Sequence, residues 1–208
     1  MKHNFSFWSL VLAALVALVN GAAAQAPVKS KTKPVVTTVY IVRHAEKDST
    51  SDRADPTLSP LGQTRALALR KTLVGHHPVA LFTTDTKRTR ATLAPLAEVL
   101  KLEPQVYDPR RGRDMTDRIL KEYAGKSVVI VGHSNNVLSL IDDFGATPPV
   151  EEIGENDYEY LFTVRLITGE MPTVDMRGYG PERRPGIKLG KGAPMVQAAP
   201  MAPANPVK

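Results

Sequence analysis

Residues 35–46 read VVTTVYIVRHAE. Val35 to Val42 is β-branched and nearly continuous, the pattern of a strand covered on both faces. It then breaks into Arg43-His44-Ala45-Glu46-Lys47. A strand covered on both faces needs helices above and below it. In such layered sheets ligands sit outside the carboxyl ends of the strands. The charged stretch after Val42 therefore falls where a site is expected.

Working outward, the same alternation recurs. Ser59 can cap a helix with Pro60 in its first turn. Leu61, Leu67, Ala68 and Leu69 follow at helical spacing, and Gly75 is the expected stop. Val79 to Thr83 reads as a second strand. Thr86 or Asp85 can cap the next helix, which is expected to run to about Leu100 with a kink at Pro95. Gln105 to Tyr107 is a third strand, and Asp114 to Tyr123 a third helix stopped by Gly125. Ser127 to Val131 is a fourth, strongly apolar strand. Asn136 to Phe144 is a fourth helix, stopped by Gly145. Tyr160 to Ile167 and Thr173 to Met176 close the pattern around a turn at Thr168-Gly169. This order predicts an α/β fold, a three-layer sandwich with a mainly parallel central sheet flanked by helices.

The residues just past the strands carry the chemistry. After the first come Arg43 and His44, and after the second comes TDTKR, ending in Arg88. Asp108 follows the third strand, and Gly132-His133-Ser134-Asn135 follows the fourth. Histidine can act as a covalent nucleophile toward phosphorus. It must then be neutral at the attacking nitrogen, with the other nitrogen donating a hydrogen bond. A phosphoryl group in transfer spreads negative charge over its equatorial oxygens, so catalysis is mostly positioning and fixed positive charge. Guanidinium forks match that oxygen geometry and stay charged. A second, protonated histidine is expected to add charge and donors, and no metal is then needed.

These motifs resemble those of the histidine phosphatase superfamily, phosphoglycerate-mutase-like branch. Arg43-His44-Ala45-Glu46 resembles its Arg-His-Gly/Ala-Glu signature. Leu58-Ser59-Pro60-Leu61-Gly62 is similar to its Leu-Ser-x-x-Gly motif. Thr84 to Thr92 resembles its Ser-x-x-x-Arg-(Ala)-x-x-Thr motif, and Val131 to Asn135 its second histidine motif. The resemblance, covering residues 38 to 140, implies that His44 is phosphorylated and that Arg43, Arg88 and His133 line the phosphate pocket with it. It implies a proton donor at Asp108, where the family commonly has Glu. Capping a turn before Pro109 is the competing role for Asp108. Glu46, Asn135 and Arg110 are candidate substrate contacts. Arg110, Arg111 and Arg113 read either as capture of an extra-charged substrate or as a solvated loop. Asp157-Tyr158 reads as packing or as a wall of the site.

The ends of the chain read differently. Phe7 to Val19 has the length of a signal-peptide core, and Ala22-Ala23-Ala24 supplies the small residues of a cleavage site. The expected divisions are a signal peptide over 1–24, a flexible leader over 25–34, the phosphatase-like domain over 35–180 and a disordered tail over 181–208. The chain carries +6 overall, but the domain alone carries −2. The positive charge therefore lies in the ends, with no basic face for nucleic acid. There are no cysteines, which removes thiolate catalysis, thiolate metal sites and a lipid-anchoring cysteine.

The expected function is a metal-independent, cofactor-free phosphomonoester hydrolase of histidine acid phosphatase type, exported to the periplasm or secreted. Its partner is a small phosphorylated substrate, with no nucleic acid and no stable membrane insertion after cleavage. A phosphoglycerate-mutase-like phosphotransferase and a non-catalytic phosphate-binding envelope protein are the alternatives.

Overall fold

A computed structural model describes residues 33–181. The expectations for the signal peptide, most of the leader and nearly all of the tail lie outside the described residues.

Six strands form one sheet: β1 Val36–Arg43, β2 Ala80–Thr83, β3 Gln105–Val106, β4 Ser127–Gly132, β5 Tyr160–Ile167 and β6 Thr173–Gly178. Their spatial order is β3-β2-β4-β1-β5-β6. The three pairings from β3 to β1 are parallel, and those of β1 with β5 and β5 with β6 are antiparallel. Among the described residues four α-helices flank it: α1 Pro60–Leu73, α2 Lys87–Leu100, α3 Gly112–Glu122 and α4 Val137–Asp143. None is long and apolar enough to cross a membrane.

The alternation of side chains along the strands builds two cores. Val39, Ile41, Val128, Ile130 and Phe82 pack on one face with Met115 and Ile119 of α3 and Leu140 and Ile141 of α4. Tyr40, Val42, Val129, Val131 and Leu81 pack on the other with Leu69 and Leu73 of α1 and Leu93 and Leu96 of α2. Period two on the strands thus sends successive residues to opposite layers. Each fully buried aliphatic side chain contributes about 1.5–3 kcal/mol, so the central strands hold the sandwich together.

The caps form as the sequence suggests. Ser59 accepts from the Gly62 N–H, and Thr86, not Asp85, accepts from the Thr89 N–H. One stop differs. α1 ends at Leu73, and a 3₁₀ turn over Val74–His76 follows. His77, rather than Gly75, takes the left-handed conformation (φ 48°). Its N–H donates to the Val74 carbonyl, closing the turn just before Pro78.

Gly62 is needed for a spatial reason. A Cβ at this position would overlap the Glu46 carbonyl oxygen, two residues beyond His44. Ser59 N–H also donates to that oxygen at 2.9 Å. Gly75, by contrast, has nothing within 4 Å of its virtual Cβ. Gly62→Ala is therefore expected to cost about 1–3 kcal/mol through overpacking, whereas Gly75→Ala is expected to be neutral or stabilising by up to about 1 kcal/mol. Urea denaturation midpoints of the two variants check the opposite signs.

Candidate active site

The register of β1 against β4 creates the site. Arg43 lies opposite Gly132, and the His44 N–H continues the ladder to the Gly132 carbonyl at 2.9 Å. His44 and His133 leave the sheet as neighbours, with ring centroids 5.4 Å apart and planes inclined at 67°. On the far side of β4, β2 brings Thr84 alongside, and its Oγ1 lies 2.8 Å from His133 Nε2. Arg88, in the first turn of α2, reaches His133 Nδ1 with Nη2 at 3.4 Å. A cavity of about 670 Å³ opens over these groups, lined by Arg43, His44, Arg88 and His133, with Ser134 and Asn135 beside them.

His44 is buried (5% exposed). Its Nδ1 lies 2.8 Å from the Ala45 carbonyl oxygen. A carbonyl can only accept, so Nδ1 carries the proton and Nε2 keeps its lone pair. The Ala45 N–H donates to Thr92 Oγ1 at 2.9 Å, and that hydroxyl donates to the Arg88 carbonyl at 2.8 Å. Thr92 thereby joins the His44 segment to α2, which explains the closing Thr of its motif.

His133 is fixed by the opposite logic. A guanidinium only donates, so Nδ1 accepts from Arg88 and Nε2–H donates to Thr84 Oγ1. The Thr84 hydroxyl donates a hydrogen bond to Thr89 Oγ1 at 3.1 Å, and Thr89 donates to the Thr84 carbonyl at 2.9 Å. The expected protonated second histidine is thus neutral in this arrangement. Burial, then Arg88 and Arg43, lower its pKa to about 4. Burial is also the main cause that lowers His44 to about 3, with Arg43, Arg88 and His133 adding to it against the Ala45 hydrogen bond.

Arg43 is held without being neutralised. Its Nη1 donates to the carbonyls of Gly154 (2.7 Å) and Asp157 (3.3 Å). Its guanidinium carbon lies 4.2 Å from the centroid of the Tyr158 ring, a cation–π contact. Tyr158 therefore builds a wall under Arg43. Asn136 positions the second histidine: its Oδ1 accepts from the His133 N–H at 2.8 Å, and its Nδ2 donates to Tyr107 Oη at 3.3 Å.

Three candidates sit elsewhere. Asp108 does not line the cavity. Its carboxylate accepts from the Arg110 backbone N–H (2.9 Å), Nε (3.1 Å) and Nη2 (2.9 Å). Those hydrogen bonds hold its pKa down to about 2. It caps the turn, because Arg110 two residues on reaches it first. Arg110 is folded back onto that carboxylate and 88% exposed, away from the cavity. Glu46 turns under the site and takes two forked contacts from Arg65, at 2.8 Å and 2.7 Å to Oε1, while Arg65 Nη1 donates to the Tyr179 carbonyl at 2.7 Å. This is a buried structural pair, not a substrate contact. Lys47, Arg53 and Glu155 also line the cavity; they lie outside the strands and helices, where no motif marks them. Among the described residues no group of three or more His, Asp or Glu side chains is placed to hold a metal ion.

Residues 39–110 match one family model. That model is the histidine phosphatase superfamily (branch 1). The matched stretch contains Arg43, His44 and Arg88; the fold supplies His133 from beyond it. No curated protein sequence matches the chain. Among solved structures, a mycobacterial glucosyl-3-phosphoglycerate phosphatase is similar at TM-score 0.54 and 14% identity, covering 71% of this chain and 100% of that one. The protein histidine phosphatase SixA complexed with tungstate is similar at TM-score 0.52 and 18% identity, covering 69% and 96%. These likenesses bear on the fold alone: a layered α/β architecture of this kind.

The lowered imidazole pKa values set a pH dependence. Unfolded histidines take up protons near pH 6.5, whereas the folded ones stay neutral until about pH 4 and 3. Between these limits the unfolded chain binds more protons, so stability falls as pH drops through that window. Thermal melts from pH 7.5 to 4.5 should show this fall, and it should be shallower in the His44→Ala/His133→Ala double variant.

Proposed function

We propose that the protein is a phosphomonoesterase working through a phosphohistidine on His44. The observation that carries this is the His44 tautomer. Nδ1–H is committed to the Ala45 carbonyl, so the Nε2 lone pair is available at a cavity lined by two arginines and a second histidine.

The reaction follows in two steps. His44 Nε2 forms a bond to phosphorus as the ester P–O bond breaks, and Arg43 and Arg88 balance the charge on the equatorial oxygens. The leaving oxygen takes its proton from water in the open cavity, because Asp108 is held as a carboxylate by Arg110. A water molecule then attacks phosphorus, the P–N bond breaks, orthophosphate leaves and that water's proton returns to solvent. When Arg88 turns from His133 to phosphate, His133 Nδ1 takes up a proton from solvent and donates to a phosphate oxygen, and it returns that proton when orthophosphate leaves. No step uses a metal. Export belongs to the proposal: the mature protein would begin at Gln25, and N-terminal sequencing of the periplasmic fraction tests this.

Para-nitrophenyl phosphate and an alkyl phosphate ester should both be hydrolysed, with turnover unchanged by chelator. His44→Ala should lose at least about 10³-fold in kcat, as removal of a covalent nucleophile does. Brief mixing with substrate should leave acid-labile, base-stable phosphate on His44. Asp108→Asn should change the aryl and alkyl ester rates by the same small factor. A loss confined to the alkyl ester would restore Asp108 as the acid. Phosphate binding without turnover would instead favour the non-catalytic module.

A further inference from the structure

Four cations line the cavity, Arg43, Lys47, Arg53 and Arg88, against one carboxylate, Glu155. Arg43 and Arg88, beside the two histidines, are enough for one phosphoryl group. Lys47 and Arg53 are surplus to that task, and the cavity volume of about 670 Å³ is in the range that takes a whole small molecule rather than one anion.

The loop bearing Arg53 is fastened down. Lys47 and Leu58 form an antiparallel bridge at its base, and the Asp48 N–H donates to the Thr57 carbonyl at 2.8 Å. Asp52 accepts from the Ala54 N–H at 2.9 Å. Asp55 accepts from the Lys87 N–H at 3.0 Å and lies 3.6 Å from Arg88 Nη1. Each carboxylate of the loop thus serves the loop or α2. Arg53 is left on the cavity wall with no ion pair or hydrogen bond among the described residues. Lys47 meets Glu155 at 3.3 Å in an exposed pair, a weak contact that a stronger anion can displace. The basic cluster after Asp108 differs: Arg110 pairs with Asp108, Arg111 with Asp114 and Arg113 with Asp143. Uncommitted charge at the cavity is therefore on Arg53, not on that cluster.

We infer that Arg53, assisted by Lys47, forms a second anion subsite, so that the preferred substrate is a phosphomonoester bearing a second anionic group, carboxylate or phosphate. This rests on the phosphatase reading above. The phosphate to be transferred sits over His44, and the second group sits against the loop, where the Arg53 fork can bind it in a bidentate manner.

The test uses matched esters: phenyl phosphate against 3- and 4-carboxyphenyl phosphate, at low ionic strength. The ratio of kcat/KM values, carboxylated over plain, should be about ten or more for at least one isomer in the wild type, the size expected of one charge-assisted contact. It should fall about tenfold in Arg53→Ala, be partly retained in Arg53→Lys, and drop below one in Arg53→Glu. Added salt should shrink the wild-type ratio. A merely structural Arg53 would lower both rates together and would not invert the preference. Turnover of all three esters with a ratio near one, or a ratio unmoved by the Arg53 variants, overturns the subsite and leaves the phosphatase reading standing. No turnover of any ester takes down both.

Discussion

Parallel pairing of β1 with β4 places Arg43 across from Gly132, and the arrangement of the site follows from it. Two histidines separated by 89 positions in sequence meet because each is the first residue past its strand. A one-residue slip would exchange the faces of the whole strand and would send Tyr40 and Val42 into the wrong core. Register is therefore enforced by hydrophobic burial on both faces, and the geometry of the candidate site is inherited from packing. β2 extends the same logic by placing Thr84 beside His133, and α2 does so through Arg88 and Thr92.

The way the cations are held matters as much as their number. Arg43 is gripped by two carbonyl oxygens and an aromatic face. These fix its direction without neutralising it. Carbonyl dipoles and a ring quadrupole leave the net charge available. Burial, with the charges of Arg88 and Arg43 adding to it, keeps both imidazoles neutral. Below the site the opposite device appears: Glu46 and Arg65 neutralise each other where little water reaches. Removing one partner of such a pair costs about 3–5 kcal/mol, so Glu46 acts as a foundation for the segment that carries His44.

Much of this was legible in the chain. Strand runs, the Ser59 and Thr86 caps and the residues following each strand are local signals, and they place Arg43, His44, Arg88 and His133 correctly at one sheet edge. What was not legible depended on partner choice. Asp108 and Arg110 are both visible in the sequence, but whether the carboxylate faces the cavity or its neighbour is decided by turn geometry. Glu46 finds Arg65 only because α1 folds back over the β1 end, which no spacing rule reveals. Arg53 lies in the polar stretch between β1 and α1, where no strand or helix pattern singles it out. Its distinction is a lack of partners, a property that exists only once its neighbours are in place.

The two imidazoles are secured on different scales. His44 owes its tautomer to the carbonyl of the next residue, a lock contained in two consecutive positions. His133 draws on Arg88, Thr84, Thr89 and Asn136, from two separate stretches, residues 84–89 and the turn after β4. One half of the machinery is self-contained and the other is distributed. Sequence drift around the second half can retune proton affinity and ligand preference while the Nε2 lone pair of His44 stays exposed to the cavity. Such modularity lets one architecture vary the margin of its cavity without rebuilding the first histidine.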